Sequence, residues 1–264
     1  MRILNFLFSR SKQEQDKPIR DKLKTRKDFE RVLAEDLDIM ETTKARMDTA
    51  KNINLYMYRS LSYSYILILQ SKYSVDAKID ELRDIYIKSM YYFLQAFNKR
   101  NPIYADILNY VSLGVLLNIP DNNFRQLIDY VKQMDKQAKP SGWTPDLLLW
   151  FMLNSRLKEQ EKLKYAETLA YPRLYNGLYK VIQAPNAAAA KDALNKYLDR
   201  WYNLNSDAPW YNSHLKDNCY RGYWAWEVAA VDKIMHIDDS DLKNNQYYPY
   251  DMVHWADNET TAKE

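Results

Sequence analysis

The residues whose spacing comes closest to reaction chemistry are Asp232 and His236, four positions apart, with Glu227 a little over one turn earlier. A helix sets residues i and i+4 on one side, so this carboxylate and imidazole offer half of a divalent-metal site. A second element would have to complete it, and His214 and His254 are the only other histidines. The competing reading is an ordinary surface pair, with His214 and His254 in structural hydrogen bonds. That reading is preferred, and neither a metal nor a cofactor is expected.

Other chemistries leave no trace. Gly114, Gly142, Gly177 and Gly222 stand isolated and cannot build a glycine-rich phosphate cradle. No serine has the glycine neighbours of a nucleophile elbow. The single cysteine, Cys219, excludes an internal disulfide and a Cys-based zinc cage, fits a reducing cytoplasm, and reads as a small core hydrophobe. No catalytic residue is assigned and no enzymatic activity is expected.

What remains is binding chemistry. A net charge of +3 is too small for a nucleic-acid binder, yet it is unevenly placed. Residues 199–264 carry 12 acidic against 6 basic residues, whereas residues 1–30 carry 9 basic against 5 acidic. Such an acidic C-terminal part is suited to a basic partner, or it is a solvated face. The 23 tyrosines and 7 tryptophans are mostly core, but Trp210-Tyr211 and Tyr247-Tyr248 are candidates to anchor a protein interface.

The elements that must position these residues read as helices. Four glycines in 264 residues supply few of the positive-φ turns that sheets need, and 47% apolar content is enough for a core. Phe29, Val32, Leu33, Leu37, Met40 and Met47 recur at helical steps. Asn54 to Lys72 reads as a buried helix despite the Tyr63-Ser64-Tyr65 alternation. Ile79 to Phe97, Ile103 to Leu117 after the Asn101-Pro102 start signal, and a segment with Asp121 as cap follow. Lys136 to Gly142 breaks the pattern, so two helical halves, 1–139 and 140–264, are expected to pack together.

In the second half Thr144-Pro145 reads as cap and first residue of a helix. Further helices are expected over Glu161 to Ala170, Arg173 to Ile182, Asn186 to Tyr202 with Asn186 as cap, and Tyr220 to Met235, with Pro172 dividing the first two of these. The chain thus reads as an all-α protein. The apolar run of residues 1–8 is too short and too interrupted for an export signal, and no stretch suffices to cross a membrane.

One resemblance goes further. Tyr220-Arg221-Gly222-Tyr223-Trp224-Ala225-Trp226-Glu227-Val228-Ala229-Ala230-Val231, Ile237-Asp238-Asp239-Ser240 and Tyr247-Tyr248-Pro249-Tyr250-Asp251-Met252-Val253 resemble the PoNi immunity family. Arg20-Asp21, the Phe29 helix and Ser112-Leu113-Gly114-Val115-Leu116-Leu117 are similar to its N-terminal module. The resemblance implies a non-catalytic cytoplasmic antitoxin that binds a PoNe DNase, a restriction-endonuclease-like toxin delivered between bacteria by a secretion system. It implies a protein partner rather than nucleic acid or membrane, and is compatible with a homo-oligomer. The alternative is a helical scaffold or adaptor with no toxin partner.

Within the matched motifs Gly222 is expected to permit close helix packing, and Glu227 either pairs internally or faces the toxin. Asp238, Asp239, Asp241 and Asp251, supported by Tyr247 and Tyr248, are the expected toxin contacts.

Overall fold

The structure is a computed structural model describing residues 18–96, 103–136 and 142–256. The apolar run at residues 1–8, the Asn101-Pro102 signal and the expected division at 139/140 lie outside the described residues. The described residues contain ten α-helices and no strand, the all-α class expected. They fall into two compact units. One holds the residues before 98 together with Asn212–Tyr223, the other those from 98 to 211 and from Trp224 onward.

In the first unit α1 (Arg26–Thr49) opens at Thr25, whose hydroxyl accepts from the Asp28 N–H while the Asp28 carboxylate accepts from the Thr25 N–H. Asn54 caps α2 (Leu55–Ser74) in the same way, accepting from the Met57 N–H at 3.0 Å. α2 packs between α1 and α3 (Ile79–Ala96). Leu33 and Met40 of α1 meet Leu61, Tyr65 and Ile68 of α2, with Ile85 and Tyr92 of α3 against them. Because the element is a helix, alternate tyrosines part company: Tyr65 is buried and Tyr63 is exposed.

Residues 212–223 are held to this layer by polar bonds. The Arg221 guanidinium donates to both oxygens of Asp36, at 2.8 and 2.9 Å, with both side chains largely withdrawn from solvent. Tyr220 donates to Asp21, whose carboxylate also accepts from the Leu23 and Lys24 N–H groups. The Arg221 and Gly222 carbonyls accept from Ser74 Oγ and Gln70 Nε2, each at 2.8 Å. Gly222 has φ +107°, which a Cβ would disfavour, so this backbone path calls for glycine. Cys219 is exposed, against the expectation of a core position.

In the second unit α4 (Tyr104–Leu116) is buried nearly all round. Around it run α5 (Asp121–Lys136), α6 (Leu147–Asn154), α7 (Pro172–Ile182), α8 (Ala187–Leu204), α9 (Trp226–Met235) and α10 (Tyr250–His254). α9 packs against α4, α6, α7, α8 and α10. Asp146, not Thr144, caps α6: its buried carboxylate accepts from the Leu149 N–H (2.8 Å), the Tyr104 hydroxyl (2.8 Å) and the Ala170 N–H (2.7 Å). Pro172 opens α7 as its first residue. Asn186 caps α8, as expected.

Two expected helices are shorter or missing. Glu161 to Ala170 holds no α-helix: after a 3-10 turn at Glu159–Glu161 its backbone is taken up by Asn154, which exchanges two hydrogen bonds with Leu163, and by Asp146. The helix expected from Tyr220 begins only at Trp226, because the preceding backbone bonds elsewhere, as where the Ala225 N–H donates to the Tyr247 carbonyl at 2.8 Å.

Candidate functional site

The motif residues of the second unit converge around α9. Helix α9 ends at His236, which takes a left-handed φ of +53° and turns the chain into Asp238–Asp241. The Asp238 carboxylate accepts from the Ser240 N–H, closing a tight turn, and a 3-10 helix spans Ser240–Leu242. Lys191 of α8 reaches up to bond both Asp238 (2.9 Å) and Asp241 (3.2 Å), and Asn195 donates to Asp241 (3.0 Å). Hydrogen bonds from Ser240, then Lys191, hold the Asp238 carboxyl down at about 2. Burial would raise Asp241, but Asn195 and Lys191 outweigh it and keep the group below its usual value.

The six expected contact residues separate into two sets. Asp239 is 4% exposed and Tyr248 is 2% exposed; the Tyr248 hydroxyl donates to Asp239 at 2.8 Å, and His254 Nε2 sits 2.9 and 3.0 Å from the two Asp239 oxygens. These two are buried, not surface residues as expected, and hold the turn to the body of the unit. Asp238, Asp241 and Asp251 are exposed, and Tyr247 is half-buried.

Tyr247 belongs to an aromatic group whose extent the sequence did not disclose. Its ring stacks on Tyr202 at 5.3 Å and 5°, Tyr202 stacks on Tyr211 at 4.5 Å, and Trp201 stacks on Trp210 at 5.5 Å. All but Trp201 are half-buried, so the group presents ring surface outward. Trp201 fixes its base by donating through Nε1 to Glu227 at 2.6 Å. Glu227 is therefore paired internally, and desolvation pushes its carboxyl up to about 7 against the pull of the Trp201 bond.

Asp232 and His236 do not converge as a ligand pair. Asp232 is buried at 1% exposure beside Tyr248, while His236 is exposed beyond the helix end. His214 bonds the Tyr223 hydroxyl in the first unit, and His254 bonds Asp239 in the second. Among the described residues no group of three or more His, Cys, Asp or Glu is arranged to hold a metal ion. No described helix is long and apolar enough to cross a membrane.

The first unit contributes exposed apolar surface instead, with Ile39 on α1, Tyr56 and Tyr63 on α2 and Tyr91 on α3 all at least half exposed. Sequence periodicity placed these helices but did not single out these positions.

Comparison with known proteins gives two family matches. Residues 144–252 match the description "PoNe immunity proteins (PoNi), C-terminal", and residues 11–129 match "PoNe immunity protein (PoNi), N-terminal". No curated protein matches. Among solved structures the chain is similar to protein PA2201 from Pseudomonas aeruginosa, with a TM-score of 0.69 and 19% identity over 93% of each chain, a likeness of fold.

Proposed function

The chain belongs to the family of PoNe immunity proteins, and from that premise we propose that it acts as the antitoxin of one DNase toxin, which it neutralises by binding and without catalysing a reaction. The observation that carries the reading is the paired family match, which extends over both modules and nearly the whole chain. The toxin would arrive through a bacterial secretion system, and the antitoxin would act in the cytoplasm of the producer and its kin, where the DNase would otherwise cut the chromosome.

The physical logic is complementarity. A DNase presents cationic side chains to the phosphate backbone around its metal-binding carboxylates, and an acidic, aromatic surface can occupy that ground. Asp238 and Asp241 at the α9–α10 turn, Asp251 and the Tyr247 group support such a face, with charge steering encounter and rings anchoring the complex. Lys191 tempers it, because one ammonium is shared by two of the carboxylates.

Co-expression with a candidate PoNe-type DNase tests the proposal. Rescue of growth together with copurification is expected; copurification without rescue would point to a scaffold, and the absence of both would end the proposal. The turn is tested separately by association kinetics. Asp238→Asn with Asp241→Asn should slow association severalfold at low salt and Lys191→Gln should speed it, both effects fading as salt screens the charges. On-rates unchanged in both variants would remove the turn from the interface.

A further inference from the structure

Four polar side chains behind the acidic turn share too few protons to be satisfied in their ordinary charge states. The Tyr248 hydroxyl lies between two carboxyls, donating to Asp239 at 2.8 Å and also hydrogen bonding with Asp232. A phenol has one proton to give. Asp239, which accepts that hydrogen bond and also bonds His254, is supplied with partners. Asp232 is not: its Oδ1 is buried and has no hydrogen-bond partner. A bare, buried carboxylate oxygen is costly when charged, whereas a neutral carboxylic acid can donate to the Tyr248 oxygen and leave only a weak acceptor unmatched.

We infer that Asp232, Tyr248, Asp239 and His254 form a proton-operated latch in which the proton carried by Asp232 holds the 236–249 turn and α10 against α9, and loss of that proton loosens them. The ends of the latch are well separated in the chain: Asp232 is on α9, Asp239 in the acidic turn, Tyr248 before α10, and His254 at the close of α10. Ionising Asp232 would set a second negative charge beside Asp239 with no donor for it. Burial is the main cause that pushes the Asp232 carboxyl up to about 7, with Asp239 and Asp238 adding to it and Tyr248 and His254 opposing.

Other charged groups packed against α9 are engaged elsewhere. Glu227 on α9 itself accepts from Trp201 and faces Tyr175 of α7 and Tyr197 of α8, and Lys233 donates to the Leu116 carbonyl of α4. On α8, Lys191 is bound to Asp238 and Asp241. On α4, Tyr104 donates to Asp146 and Asp106 faces Tyr130 of α5, leaving Tyr110 as its remaining ionisable residue; α6 carries none. On α10, the Tyr250 ring lies tilted against His254 at 4.4 Å and Asp251 is exposed. The consequence for toxin binding rests on the reading of the turn as toxin-facing; the latch itself does not.

The test is amide hydrogen exchange of the free, full-length protein from pH 6 to pH 8, with intrinsic base catalysis divided out. Opening of the 236–254 segment should rise about tenfold over that range in the wild type, as follows for a carboxyl titrating near 7 when closed and near its ordinary value when open. Asp232→Asn should abolish the rise. Glu227→Gln, which removes a second buried carboxyl on α9 raised to about 7, should keep it. An unchanged slope in Asp232→Asn, a lost slope in Glu227→Gln, or the same slope across α4 and α6 would overturn the latch. Should Asp232→Asn fail to fold, the infrared carbonyl band of a protonated buried acid at pH 6 in Glu227→Gln decides: its presence supports the latch and its absence refutes it. No toxin enters either measurement, so a failed latch leaves the antitoxin reading standing, and a failed rescue leaves the latch standing.

Discussion

Single residues of the family motif have separable duties. Arg221 joins its segment to α1 through a two-bond pair with Asp36, and removing one partner of such a withdrawn pair strands the other charge. Arg221→Ala should cost about 3–5 kcal/mol of unfolding free energy in urea denaturation. A loss below about 1 kcal/mol, the range of an exposed pair, would show the bridge to be incidental. Glu227 behaves differently. Its folded carboxyl titrates at about 7, above its ordinary value, so its contribution is complete below that ordinary value and is lost as pH rises through 7. Glu227→Gln should therefore gain on the wild type in Tm as pH is raised from 5 to 8.5; a constant difference would contradict this. The sequence left Glu227 either paired internally or facing the toxin, and it could not show Trp201, because the two lie 26 positions apart. Nor could it show that Asp239 and Tyr248 face inward, since a turn has no periodicity from which a buried face can be read.

At the scale of elements, legibility followed periodicity and caps. The helices α1 to α8 could be traced from apolar steps, and Asn186 serves as the cap expected of it, whereas Asp121, expected as a cap, is the first residue of α5. Legibility failed where side chains compete for backbone groups. Asp146 and Asn154 capture the chain around 163–170, and no local pattern announces bonds between segments. The close approach of α7 and α8 is another such case. Gly177 sits in α7, where alanine ordinarily favours a helix, but a Cβ there would lie 2.6 Å from the Tyr197 ring. Gly177→Ala should lower stability by about 1–3 kcal/mol, the range of overpacked cores, as read by thermal and urea unfolding. Equal or greater stability would mean that the Tyr197 ring yields freely.

For the whole molecule, the all-α class was readable from few glycines and helical spacing, whereas the partner entered through resemblance and family matching, not through any reactive constellation. Charge and aromatic content suggested a binding surface, and folding selected from it: the acidic turn retains two exposed carboxylates shared with Lys191, and the Tyr202, Tyr211 and Tyr247 rings gather beside α8. The central claim is that this folded surface disarms a nuclease stoichiometrically. It is tested most directly by titrating the purified protein into the purified candidate PoNe-type DNase and following cleavage of plasmid DNA. Cleavage should fall linearly to nothing near one equivalent, with this protein alone leaving DNA intact. Undiminished cleavage at a large excess, with both proteins folded, would contradict the account.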